Sequence, residues 1–296
     1  MTTPHQHSSV KNIRTAFFLN LGFTVIEFVG GIWTNSTAII ADAVHDLGDC
    51  IALAQAWYFE SLSDQQGTAT YTYGYRRFSI LGAAISALIL LLASLYVLNE
   101  AIPRIIEPEQ SNAQGMAVLA VFGVLVNGFA MFKLAKGEGL NTRVVALHFL
   151  EDVLGWVAVL IVAIILMFED VHILDPVLAV LITLYILSNI LKQLKNIVPI
   201  FLQATPASVD ISRLEQALTA IPTVDLVHHL HVWSLDGLRS VLTVHVVTEK
   251  LLDTEEYAAL KHAFRRVIDE AGIYHSTLEI EFPEEPCRVE QDGSCR

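Results

Sequence analysis

Six mostly apolar stretches alternate with short polar breaks along the first two thirds of the chain. They run over residues 13–33, 37–60, 79–101, 114–135, 144–168 and 176–199. Each is close to the ~20 residues a helix needs to cross about 30 Å of hydrocarbon. The breaks lie at 34–36, 61–77, 102–112, 136–143 and 169–175. Pro176 suits the first turn of a helix, where its missing N–H costs nothing. From residue 203 the pattern changes. Val209, Ile211, Leu214, Leu218 and Ile221 recur at helical spacing within 207–221, which Pro222 ends. Residues 224–234 and 238–248 alternate and are rich in β-branched side chains, predicting paired strands across Leu235-Asp236-Gly237. Residues 255–271 read as a helix closed by Gly272, and 277–282 as a last strand. The pattern therefore predicts a membrane all-α domain of six spans (13–200) after a polar N-terminal tail (1–12). A small α+β domain of order α-β-β-α-β (203–283) and an acidic, cysteine-containing tail (284–296) follow.

Composition sharpens this picture. With 53% hydrophobic residues and a mean hydropathy of +0.51, the chain is too apolar for an ordinary soluble domain. The net charge is −13, and the part beyond residue 203 carries sixteen acidic against eight basic residues. Such a field repels nucleic acid and anionic lipid and attracts cations. Three cysteines give no disulfide framework. Cys50 lies in an apolar stretch and reads as packing; Cys287 and Cys295 are either incidental or soft-metal ligands. The first ten residues lack the pattern of a removable signal peptide. Lys11, Arg14, Arg76, Arg77, Lys133, Lys136, Arg143, Lys192 and Lys195 all fall on one side of a six-span topology, and Arg104 alone on the other. Both termini are therefore expected in the cytoplasm.

The polar residues inside the spans carry the chemistry. Span two holds His45 and Asp49, span five His148 and Asp152, each pair four residues apart and so on one helical face. A carboxylate near the middle of a bilayer costs at least ~2.5 kcal/mol and marks function by default. Two imidazoles and two carboxylates suit tetrahedral Zn²⁺, which points to a metal carried across the membrane. Asn20 and Glu27 share a face of span one; Asp42 and Asp46 lie beside the first pair and Glu151 beside the second. These five are expected to line the pathway or support the ligands. Spans one, two and five, with Asn127 of span four, would enclose the polar passage, leaving three and six as scaffold.

The run Asn20…Glu27…Gly31…Asn35-Ser36-Thr37-Ala38-Ile39-Ile40-Ala41-Asp42-Ala43-Val44-His45-Asp46-Leu47-Gly48-Asp49 resembles the cation diffusion facilitator family. So do Tyr73-Gly74-Tyr75-Arg76-Arg77, His148…Asp152, His228-His229-Leu230-His231-Val232-Trp233 and His275-Ser276-Thr277-Leu278-Glu279-Ile280-Glu281. The likeness covers nearly the whole chain and is nearest to the zinc-transporting branch. It implies a six-span, proton-coupled Zn²⁺ exporter working as a homodimer, with His45, Asp49, His148 and Asp152 as the transport site. Imidazole in both pairs favours zinc over manganese, which prefers oxygen ligands. Ser79 stands where many relatives have Glu. The short 136–143 loop lacks the histidine-rich insertion of eukaryotic relatives and fits a bacterial inner-membrane protein.

The resemblance further implies a cytosolic ferredoxin-like domain in which His228, His245 and Glu281 hold regulatory zinc, with His275 or His262 as a further ligand. His229 and His262 read otherwise as exposed histidines, and Trp233 as filling core or dimer interface. Two other classes compete. Against an intramembrane metalloenzyme, the chain has no H-E-x-x-H pair and no obvious nucleophile accompanies the four ligands. A metal-sensing receptor would leave four ionisable residues buried in the membrane without a use.

Overall fold

The structure, a computed structural model, describes residues 4–63, 67–135, 140–283 and 285; side chains at 4–16, 56–57, 59–63, 133–135 and 140–148 lie outside that description. Cys287 and Cys295 also fall outside it. Six long helices come first: α1 (Pro4–Thr34), α2 (Thr37–Ser63), α3 (Arg77–Ile106), α4 (Ala113–Ala135), α5 (Leu140–Phe168) and α6 (Leu174–Phe201). Among the described residues, five of them contain stretches long and apolar enough to cross a membrane; α2, which carries Asp42, Asp46 and Asp49, is the exception. At 1.5 Å per residue its 27 residues still reach about 40 Å. Several helices run past their expected ends, α1 and α3 furthest. No helix breaker separates Pro4 from the first apolar run, so α1 takes in most of the stretch read as a polar tail. α3 continues through Pro103 to Ile106, because a proline so near the end sacrifices little of the ladder.

The described residues form two compact units, Met1–Gln66 with Leu81–Leu194 and Gly67–Ile80 with Lys195–Arg296. In the first, the helices enclose a core containing Ile39, Val97, Met116, Trp156 and Val159. Small residues permit the close approaches. The indole of Trp156 lies over Gly123, where an added Cβ would meet it at 2.3 Å, and Gly30 leaves room for Leu119. Phe23 packs edge-on against the same indole, ring centroids 6.0 Å apart. A two-residue turn joins α1 to α2. Asn35 adopts a left-handed φ of 52° and the Ser36 amide donates to the Gly31 carbonyl at 3.0 Å. Arg104, Ser111 and Asn112 hold this turn through hydrogen bonds to Asn35 and to the Thr34 carbonyl.

The second unit follows the expected order, with α7 and β2 shorter than expected: α7 (Ile211–Thr219), β1 (Val224–Ser234), β2 (Ser240–Thr248), α8 (Thr254–Glu270) and β3 (His275–Glu281). α7 starts late because Asp210 caps it, accepting from the Arg213 amide at 3.1 Å. Asp253 and Glu256 form a capping box on α8. The hairpin is closed by Asp236, whose carboxylate accepts from the amides of Leu238 and Arg239, with Gly237 at φ 90°. β1 pairs antiparallel with β2, and β3 returns parallel to β2 through α8, giving a three-stranded sheet of order β1-β2-β3. Leu214, Leu218, Leu260, Phe264 and Ile268 cover one face of this sheet. The 67–80 segment belongs to this unit, and the Tyr73 ring meets the His275 ring at 5.7 Å.

Candidate metal sites

α2 is rich in carboxylates because one of its faces looks into the bundle. Its register buries Asp42 and Asp46, with His45 and Asp49 only partly exposed. From α5, Asp152 is buried and sits opposite His45, Oδ1 to Nε2 3.8 Å. Asp42 faces Gly155 of α5, where a Cβ would come within 3.3 Å of its Oδ1; the glycine leaves the carboxylate its space. Glu27 of α1 is 1% exposed. Asn20 bridges α1 to α2 by donating to the Asp46 carbonyl at 3.3 Å. Asn127 of α4 is buried and donates to the Gly123 carbonyl. Among the described residues, those singled out on α1, α2 and α5 thus converge in one region, with one sorted elsewhere. Glu151 is exposed and accepts from the Tyr185 hydroxyl at 3.2 Å. The backbone of His148 lies in α5, but its side chain is among those outside the description.

α6 is more than the scaffold expected of it. Tyr185 sets its ring edge-on to His45, centroids 6.5 Å apart. Asp175, 1% exposed at the start of α6, caps the N-terminus of α2. It accepts from Ser36 Oγ at 2.5 Å, the Thr37 amide at 2.7 Å, Thr37 Oγ1 at 2.9 Å and the Ala38 amide at 3.4 Å. A carboxylate there answers both the unpaired amides and the positive end of the helix dipole. An acidic residue before Pro176 looks like an ordinary helix start. Nothing local in the sequence signals partners nearly 140 residues away.

In the second unit, β-sheet register builds another cluster. His228 pairs with His245 across β1 and β2, and Glu281 lies at the end of β3 beside them. Glu281 accepts from His245 Nδ1 at 2.6 Å and His228 Nε2 at 2.8 Å. One ligand atom from each of the three lies within 4.8 Å of the others. Burial would push the Glu281 carboxyl up, but the two imidazole hydrogen bonds outweigh it and hold the group below the ordinary carboxylate range. The donor set suits a metal, and one atom asks for a partner: Nδ1 of His228 is buried without a hydrogen bond among the described residues. His275 does not join the cluster. It pairs with Val241, six residues before Glu281 on β3 and so ~20 Å along the strand. His262 is exposed on α8. His229, read from sequence as a bystander, instead has its ring beside those of His228 and His245. Burial first, and then its imidazole neighbours, lower its pKa.

Two families match the chain: the cation efflux transmembrane domain over residues 13–202 and the cation efflux protein cytoplasmic domain over 206–282. Among curated relatives, the metal cation efflux system protein CzcD of Cupriavidus metallidurans is 35% identical, with 96% of this chain and 89% of that protein covered. The zinc transporter ZitB of Escherichia coli is 32% identical over 97% of this chain and 94% of its own length. A cadmium, cobalt and zinc/H(+)-K(+) antiporter of Bacillus subtilis is 29% identical over 94% and 91%.

Proposed function

The chain belongs to the cation efflux family, so it is a multi-pass membrane transporter of metal cations and not an enzyme; on that premise we propose that it exports Zn²⁺ from a bacterial cytoplasm in exchange for protons. It works as a homodimer in the inner membrane with both termini cytoplasmic. The names of its zinc-transporting and antiporting relatives support this reading. The observation that carries it is the approach of His45 Nε2 to Asp152 Oδ1, 3.8 Å, across two membrane helices.

Ligand atoms in a tetrahedral zinc shell stand about 3.3 Å apart, from metal–ligand bonds of about 2.0 Å. Half an ångström of closure would bring this pair to that edge length. Asp49 and His148, each four residues from a member of the pair, complete the four ligands. Asp42, Asp46 and Glu27 line the pathway behind them, with Asn20 fixing α1 against α2. The two carboxylates neutralise the divalent cation, and the two imidazoles, the softer ligands, favour zinc over harder ions. Both histidines must be neutral to ligate, so binding expels whatever protons they hold. Facing a more acidic compartment, the groups regain protons and release the metal, which gives exchange its direction.

Reconstituted vesicles test this directly. The parent should move Zn²⁺ uphill when a proton gradient is imposed, and a protonophore should abolish that movement. Asp49→Ala and Asp152→Ala should insert normally yet carry no Zn²⁺. Parental transport in both variants would sink the site; uphill transport that survives the protonophore would sink the coupling.

Residues 203–283 form the cytosolic regulatory domain. Zinc held by His228, His245 and Glu281 would tie β1, β2 and β3 together. By binding one transport state better than the other, it would bias the cycle by about 1–3 kcal/mol.

A further inference from the structure

We propose that His229 is the fourth ligand of the cytosolic metal site, making it a His₃Glu centre built on a bulge in β1; this rests on the proposed regulatory site of His228, His245 and Glu281. The register between β1 and β2 runs from His228 opposite His245 to His231 opposite Thr243, so β1 holds one residue too many at that point. The backbone takes up the excess at His229, whose φ is +48°. The left-handed position of such a bulge is ordinarily a glycine, since a side chain there is disfavoured.

The strained residue is also the one whose displacement matters. In a regular strand, residues 228 and 229 would point to opposite faces of the sheet. Here their ring centroids are 4.9 Å apart, the His229 and His245 centroids 5.1 Å, and those of His228 and His245 5.3 Å. The three imidazoles therefore form a nearly equilateral triangle.

The size of that triangle is telling. A ligating nitrogen sits about 2.05 Å from zinc and roughly 1.15 Å from its ring centre, which puts each centroid about 3.2 Å from the metal. At tetrahedral angles, centroids would then be about 5.2 Å apart, inside the observed range. Glu281, hydrogen-bonded to two of the rings, supplies the fourth vertex. Ligation would require the His229 ring to turn a nitrogen toward the centre of that triangle. The unpartnered, buried Nδ1 of His228 gives an independent sign that this cluster lacks a bond it is built to make. The rival ligand is Glu279, whose carboxylate lies 3.5 Å from His245 Nε2, but it is half exposed at the rim.

The test uses the full-length protein in detergent, carrying Asp49→Ala to silence the membrane pair, with Co²⁺ as probe. The intensity of cobalt's visible bands reports four-coordinate geometry. His229→Gly should weaken Co²⁺ and Zn²⁺ binding at least roughly tenfold, the lower bound seen even for residues that only orient ligands, and should reduce the tetrahedral bands. The same variant should melt higher than the parent without metal, because glycine relieves the left-handed backbone. His245→Ala controls for the site itself. If His245→Ala abolishes binding while His229→Gly leaves affinity and spectrum unchanged, the fourth ligand is misassigned. The assignment fails equally if Glu279→Gln, and not His229→Gly, removes the tetrahedral bands. If His245→Ala also leaves the bands intact, the whole regulatory site fails.

Discussion

Replacing Asp175 by alanine should cost the membrane unit as much stability as truncating a large side chain of its apolar core. The carboxylate is buried and receives three short hydrogen bonds, from Ser36 Oγ, the Thr37 amide and Thr37 Oγ1, at 2.5 to 2.9 Å. Bonds to a charged group contribute about 1.5–3 kcal/mol each. Alanine also removes a buried charge, so part of the desolvation cost is recovered, and the bonds share one acceptor group and do not add fully. A net loss of about 3–5 kcal/mol is expected, with the α2 amides left uncapped. For a unit of this size that corresponds to roughly 6–20 °C in melting temperature. Asp175→Asn keeps the shape and one acceptor oxygen but turns an NH₂ group toward the donors, so it should lose about half as much. The assay is thermal melting of the detergent-purified protein, with Ser36→Ala closing a double-mutant cycle. Coupling between positions 36 and 175 should be about 1–2 kcal/mol. Alanine variants melting within two or so degrees of the parent, or a cycle with no coupling, would show that the cap is incidental.

Three further outcomes follow from the same geometry. His45→Asp makes the membrane site richer in oxygen, so Cd²⁺ and Mn²⁺ should gain on Zn²⁺ in metal-competition flux measurements; an unchanged ratio would place selectivity elsewhere. Gly123→Ala forces a methyl to within 2.3 Å of the Trp156 ring, and the buried indole must shift by more than an ångström. It should cost about 1–3 kcal/mol in a melt and be partly rescued by Trp156→Leu. His245→Ala should blunt the rise of transport rate with cytosolic zinc while leaving residual flux; a rate curve matching the parent would make the cytosolic cluster a buffer or a structural feature.

Much of the fold and of the membrane site is legible in the chain because the relevant signals are local. Twenty apolar residues mark a membrane helix wherever they occur, and His45 with Asp49 share a helix face by spacing alone. Asp210 and Asp253 escape the periodicity argument, although each is a capping residue placed just where its helix begins. The roles that stay hidden depend on partners far along the chain. Asp175 gains its role from the start of α2, and Tyr185 from His45 and Glu151. His229 is hidden for a different reason. Period-two alternation assigns it to the face opposite His228, and only a bulge, invisible in the pattern, turns it around. His275 is the converse case, a histidine in a plausible motif that strand register carries away from Glu281.

The two-residue turn between α1 and α2 has a mechanical corollary. With Asn35 pinned by Arg104 and Ser111, and the start of α2 held by Asp175, any tilt of α2 that breaks its tie to Asn20 would pivot at Thr37 as a lever does at its fulcrum. Displacement along such an arm grows with distance from the fulcrum. His45 lies ~12 Å along it and Ser63 ~39 Å. A swing of ~10° would carry Ser63 about 7 Å but His45 only about 2 Å. The half ångström separating His45 and Asp152 from a zinc-like spacing needs only two or three degrees. The same two or three degrees would carry Ser63 about 1.5–2 Å, roughly threefold the displacement at His45.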